Sequence, residues 1–353
     1  MRVWPRKWWI RALVLLVALI AFLHLPVFST RLEIGPETTV LTGPVNPDGT
    51  INYVAALDAS YRQGVTPENN AAPWLLRALG PQVIDERVRD RVLAELGISL
   101  EAHAPGKFVN WRMRTRSSRP TATTRSRTLD IEIQPATSQA WDDNVDIWDS
   151  DFMDLLDKGE IHPSLEPWLE ENAEAFDLAR RAAECSHLYV PLLSPSSPPN
   201  LVDGTPTSWN AARDLTRALA MHARVRAMRG DFKNAWADIL TIHRLSGLIA
   251  QGPTLVERFV ALAVQGHAVK EGTFLATHCS LPPDEARDMV RELDALPPWK
   301  DLADIYDRSL RFECLDMVMV LWRGQRSLEE LAEPMPKLGG KALDCNQLLR
   351  TIN

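Results

Sequence analysis

The chain has 353 residues, 45% of them hydrophobic, enough to bury the core of one large domain or two small ones. Its 39 Lys and Arg against 46 Asp and Glu leave a net charge of −7, which excludes a general nucleic-acid binder built on a basic face. Cys185, Cys279, Cys314 and Cys345 form no C-x-x-C pair, which excludes a zinc ribbon and a thioredoxin-type site; buried thiols and disulfides of unassigned connectivity both stay open.

At the N-terminus, Arg2, Arg6, Lys7 and Arg11 precede an apolar run from Ala12 to Leu23, which His24 and Pro26 interrupt before it resumes to Phe28. The 17 residues from Ala12 to Phe28 lie near the lower limit for spanning a bilayer. Trp4, Trp8 and Trp9 supply amphipathic rings of the kind that favour the membrane interface. With only Arg31 close behind the run, the charge bias predicts a cytoplasmic tip and a single-pass membrane anchor over residues 1–29, with the bulk of the chain extracytoplasmic. A cleaved signal peptide, with Val27-Phe28-Ser29 as its cleavage site, is the alternative and exports the rest equally.

Residues 30–104 read as a small helical N-terminal region. Glu37 to Thr42 is β-prone, and Asn46-Pro47-Asp48-Gly49 is a turn. A first helix is expected over Ile51–Gln63, stopping at Gly64. Thr66-Pro67-Glu68 reads as the cap of a second, ending at Gly80 and kinked at Pro73. Pro81 starts a third, with Val83, Ile84, Val88, Val92, Leu93 and Leu96 as its apolar stripe. Residues 105–163 read as a charged linker. Six Arg without an acid occupy Trp111–Leu129, and seven Asp without a base occupy Trp141–Asp157. Anionic headgroups or nucleic acid could meet the Arg stretch, but a solvated loop paired loosely with the Asp stretch is the plainer reading. Asp142, Asp146 and Asp149 lack the spacing of a calcium loop.

Residues 164–353 read as a helical-hairpin domain. Helices are expected from Ser164 to Ala183, up to Gly230, over Phe232–Ala250, over Thr254–Thr277, from Pro282-Pro283 to before Pro297, and over Trp299–Trp322. Ser327 and Glu330 form a capping box for a short further helix. The predicted fold class is therefore all-α, an N-terminal membrane helix followed by a helical bundle or short hairpin array.

Met228-Arg229-Gly230-Asp231-Phe232-Lys233-Asn234-Ala235-Trp236 resembles the middle of a tetratricopeptide repeat, in which a small residue lets two helices pack closely. One such unit is present. That resemblance makes Ala235 a tight helix crossing, with Ala250 at the far end expected to tolerate added volume. Thr42-Gly43-Pro44, Tyr53-Val54-Ala55-Ala56-Leu57, Gly64-Val65-Thr66-Pro67-Glu68-Asn69-Asn70 and Ile249-Ala250-Gln251-Gly252-Pro253-Thr254 are similar to an uncharacterised single-anchor protein family of planctomycete bacteria. The likeness implies export and a helical fold, transfers no catalytic residue, and implies a chain continuing beyond Asn353.

Chemical grammar is sparse. His222, His243, His267 and His278 fall on four expected helices, but none has an acid three or four residues before it; the lone Glu-x-x-His, Glu184 with His187, lies elsewhere. HExxH, a P-loop, GxGxxG and GxSxG are absent. Glu68-Asn69-Asn70 and Glu257-Arg258 sit at helix starts, where capping is the ordinary role and a ligand-binding edge the sharper one. No catalytic residue, cofactor site or metal ligand is assigned. The expected function is an anchored extracytoplasmic module for protein interaction or envelope organisation, with membrane and protein partners and no nucleic acid. The alternative is an exported hydrolase using acids and His of the helical half.

Overall fold

The computed structural model describes residues 34–35, 38–99, 105–111, 154–203, 207 and 209–326. The predicted anchor, most of the charged linker, the capping box at Ser327 and Cys345 lie outside these residues. Among the described residues no helix is long and apolar enough to cross a membrane. They form helices without strands, apart from two isolated bridges.

The chain divides into a unit ending at Ile51 and a larger one beginning at Asn52. In the first, the predicted turn forms. Gly49 sits at φ +83° and its N–H donates to Asn46 O at 2.9 Å, while Asp48 accepts from the Thr50 amide and hydroxyl at 3.0 and 2.6 Å. The described residues of the β-prone stretch, 38–42, form no strand; the bridge Val45–Ile51 flanks the turn instead.

In the larger unit the helices are α1 Tyr53–Tyr61, α2 Ala72–Leu79, α3 Arg89–Glu95, α4 Leu165–Glu171, α5 Ala173–Ala183, α6 Asn210–Met228, α7 Phe232–Ile249, α8 Leu255–His278, α9 Pro283–Asp294, α10 Leu302–Ile305 and α11 Arg311–Trp322. Helices α6, α7 and α8 pack against one another, and α7 is covered nearly all round: Ala235, Trp236, Ile239, Leu240, Ile242, Leu245, Leu248 and Ile249 are buried. Each fully buried Leu or Ile of this kind stabilises the fold by roughly 1.5–3 kcal/mol. The other side of α7 meets α5, and α5 carries α2. The regions on either side of the expected 105–163 linker thus pack together inside one unit. Gly106 lies so close to Leu79 that a Cβ would stand 2.3 Å from its carbonyl carbon, and Phe108 N–H donates to Ala78 O at 2.8 Å.

Four expected helices change shape. The second does not begin at Thr66: residues 66–69 form a turn in which Asn69 accepts from Thr66 N–H at 2.8 Å and donates to Gly64 O at 2.9 Å. Pro73 then falls in the first turn of α2, where its missing N–H is harmless, and kinks nothing. The third is a 3₁₀ turn, Pro81–Val83, followed separately by α3. The stretch from Ser164 is split at Asn172, whose side chain accepts from Val109 N–H at 2.8 Å and donates to Trp168 O at 2.9 Å, so that it serves the 105–111 segment. The last helix begins at Leu302, because Asp301 caps Ala303 N–H at 3.0 Å, and it passes through a π turn, Tyr306–Leu310, before α11.

The hairpin turn is as expected. Gly230 takes φ +80°, Asp231 caps α7 by accepting from Asn234 N–H, and Ala235 is fully buried. Ala250 is only 3% exposed, so it is no tolerant end; the exposed Ala237 on α7 is the proper control. Ala235→Leu is expected to cost about 1–3 kcal/mol by overpacking. Ala237→Leu should stay within about 0.5 kcal/mol, as surface changes do. Equal denaturant midpoints for the two variants would dissolve the close crossing.

Candidate functional site

A broad concavity, about 1020 Å³, opens between the end of α1, residues 183–188, α7, and the 295–300 segment behind α9. Its walls are held by side chains. Asn70 acts as a strand partner for Tyr189: its amide donates to Tyr189 O and its carbonyl accepts from Tyr189 N–H, both at 2.9 Å. Backbone bonds between Asn69, Ala71 and His187 extend this bridge. Asp58 accepts from the Tyr189 hydroxyl at 3.0 Å and from Leu192 N–H at 2.7 Å. From the other side Gln251 donates to Ser186 O at 3.0 Å, so residues 186–189 run extended along the cleft. The facing wall is fixed by Arg258, buried on α8, which donates to Lys300 O and places its guanidinium carbon 5.1 Å from the Trp299 ring centre.

The lining mixes an apolar floor (Leu188, Leu248, Leu296, Pro297, Pro298, Trp299) with neutral hydrogen-bonding groups, Gln63, Gln251, Gln265 and His243. Burial lowers the pKa of His243, whose Nδ1 lies 3.2 Å from Gln265 Oε1, so it faces the cleft as an uncharged ring. Arg244, Lys300 and Arg308 bring three cations against Glu184 and Glu292, and Glu292 already accepts from the Trp236 indole. Burial and Glu184 raise the Cys185 thiol, which makes it a poor nucleophile. Ser186 Oγ lies 2.8 Å from His187 Nδ1 on an exposed edge.

A second pocket of about 410 Å³ lies among α4, α5 and α6. Behind it Asp238, fully buried, accepts from Arg180 at 2.7 Å and Arg226 at 2.8 Å. His222 stacks on Phe176 with ring centres 5.1 Å apart and holds Nδ1 3.0 Å from Asp238, at ion-pair distance but without an aligned hydrogen bond. The described residues lining this pocket include no Ser, Thr or Cys.

The four histidines fall on three helices, not four, since His267 and His278 share α8, and they do not converge. His267 meets Thr216 at 3.4 Å, and burial, with Arg217, Arg213 and Lys270 nearby, lowers its pKa to about 4. His278 stacks on Phe274. Among the described residues no group of His, Cys, Asp or Glu could hold a metal ion. The sharper reading of the two helix starts falls away. Asn69 and Asn70 are consumed by the 64–66 turn and by Tyr189, and Glu257 closes a capping box onto Thr254 while Arg258 serves Lys300. Cys185, Cys279 and Cys314 are free thiols.

Sequence reading missed two buried charge clusters. One is Asp238. The other is Arg224, which donates to Glu271 at 2.5 and 3.2 Å and to Asp157 at 2.8 Å, with its guanidinium carbon 3.6 Å from the Phe274 ring centre. A signal was present: Glu271 falls in register with Val260, Val264, Ala268 and Leu275 on the buried stripe of α8, so it needed a buried cation. No family model, curated protein or solved structure matches the chain.

Proposed function

We propose that the chain is a membrane-anchored extracytoplasmic module that binds a protein partner, receiving an extended and mildly acidic segment in the 1020 Å³ cleft. The observation that carries this reading is the lining: apolar Pro, Leu and Trp surface beside neutral Gln and His groups and a surplus of Arg and Lys. Such a surface pairs peptide backbone groups while steering an anionic partner. A photo-crosslinking residue at Gln265 should capture one defined species in intact cells, one at the exposed Asp288 should not, and Lys300→Glu with Arg308→Glu should abolish capture. Equal labelling at both positions would sink the cleft. A strictly cytoplasmic reporter that is active when fused after residue 60 would sink the topology.

The hydrolase alternative is favoured by His222 beside Asp238 in the smaller pocket. It is the weaker reading, because the ring nitrogen is out of line with the carboxylate and two arginines already satisfy that carboxylate.

A further inference from the structure

Helices α6 and α8 meet along a face that holds more positive charge than the fold uses. Arg213, Thr216 and Arg217 stand three and four residues apart on α6, so they share one side of it. His267 and Lys270 stand three apart on α8, and the contact of Thr216 Oγ1 with His267 Nδ1 at 3.4 Å joins the two groups. The acids nearby are held off. Arg217 stands 3.7 Å from Asp214, and Lys270 stands 3.6 Å from Asp157. Ion pairs that this fold closes are shorter, as in Arg180–Asp238 at 2.7 Å and Arg224–Glu271 at 2.5 Å. Asp214 and Asp157 are also engaged elsewhere, by Asn110 at 2.9 Å and by Arg224 at 2.8 Å. Arg213 is the clearest case of a donor without a use. Its Nε is sealed from solvent and meets no acceptor among the described residues, a costly state for a charged group. His267 registers the imbalance: the influences on its ring are burial, then Arg217, Arg213 and Lys270, with no carboxylate among them. The face is reachable from solvent, since the Arg217 and Lys270 side chains are 25% and 51% exposed and Arg213 and His267 are half-buried.

We propose that this face is a binding site for a phosphate or sulfate group, held by Arg213, Arg217 and Lys270 with His267 beside it. Three cations drawn from two helices suit an anion with more than one charge and oxygens on several sides; a carboxylate offers one charge in one plane. A bound dianion offsets the field on His267, so the ring takes up a proton as the anion docks. The coupling is reciprocal: acid strengthens anion binding, and the anion raises the readiness of His267 to protonate. None of these residues lines the cleft or the smaller pocket, so the site stands apart from the cleft reading.

Inorganic sulfate is the probe, because its charge stays constant across the range in which His267 titrates. The full-length chain in an uncharged detergent, labelled at histidine Cε1, is titrated from neutral pH downward in sulfate and in chloride of equal ionic strength. His267→Gln identifies the resonance among the eight histidines. Sulfate should raise the His267 midpoint by about one pH unit or more. Calorimetry should show sulfate binding with proton uptake, and His267→Gln should still bind sulfate but without that uptake. Arg213→Gln and Lys270→Gln should each weaken sulfate about tenfold, the loss of one charge-assisted contact. Lys270 is exposed enough to be replaced without harm to the fold, and circular dichroism checks both variants. Dihexanoylphosphatidic acid binding at least tenfold tighter than inorganic phosphate would name a lipid headgroup as the source, and comparable affinity a free phosphate. The same His267 midpoint in sulfate and chloride, or sulfate affinity unchanged in folded Lys270→Gln, would overturn the proposal.

Discussion

Replacing Arg224 with Met is expected to destabilise the larger unit by about 3–5 kcal/mol, the usual cost of stripping one partner from a buried ion pair. Arg224 and Glu271 are each 2% exposed, so neither can turn to water when its partner is lost. Burial already raises the Glu271 carboxyl pKa, with Arg224 as the largest opposing influence. The loss should therefore be greatest at neutral pH and shrink as the medium becomes acidic enough to protonate Glu271. Asp157 would also lose its bond to the guanidinium, loosening the 154–157 segment from α6. The double variant Arg224→Met/Glu271→Met replaces charge with volume and should recover most of the loss. Denaturant melts of the single and double variants decide it: a single variant costing less than about 1 kcal/mol, in the range of exposed pairs, would show that the pair is not buried.

The second large effect is a pair of opposite pH dependences. Asp316, 1% exposed, accepts from Leu201 N–H with one oxygen, and its other oxygen has no hydrogen-bond partner among the described residues. Burial raises its pKa from 3.8 to about 6. The folded chain therefore binds this proton before the unfolded chain does. The stability so gained is complete below about pH 4 and is lost as pH rises through 6, up to about 3 kcal/mol in all. Asp316→Asn keeps an acceptor for Leu201 and removes the charge, so its stability relative to the parent should rise by that amount between pH 4 and 7. His267 has the reverse sign. Its pKa is lowered to about 4, so its stabilisation is present above about 6.5 and lost as pH falls through 4. His267→Gln should gain on the parent as the medium is acidified. Melts at pH 4.5, 5.5 and 7 compare each variant with the parent, and differences of the same sign, or flat ones, would refute both assignments.

Helix content and the hairpin were legible in the sequence because their signals are local. Gly230 and Asp231 close the α6–α7 turn through their own backbone and side chain, and Gly64, Gly252-Pro253 and Gly324 end helices where they stand. What misled were residues whose local meaning is overruled by a distant partner. Ser164–Ala183 reads as one helix until Asn172 turns to Val109, and Thr66-Pro67-Glu68 reads as a helix start until Asn69 folds back on Gly64. The cleft was not legible at all. Its walls come from segments more than a hundred residues apart, and its polar groups, glutamines, a histidine and charges scattered over several elements, mark no motif.

The Asn70–Tyr189 clamp also sets a timetable. Its halves lie 119 residues apart, and the Tyr61 and Asp58 bonds to residues 188–192 span comparable distances. On a chain emerging N-terminus first, α1 and α2 have nothing to fold against until α5 and the 187–192 segment have followed them out. Helices α6 to α8, by contrast, complete their mutual packing within 69 consecutive residues, from Asn210 to His278. The later helices can thus consolidate without the first, while the first must wait, unpaired, until 119 further residues have been made. That interval is where a holdase would find its substrate, and where a substitution at Asn70 would be felt as slow maturation before it was felt as low stability.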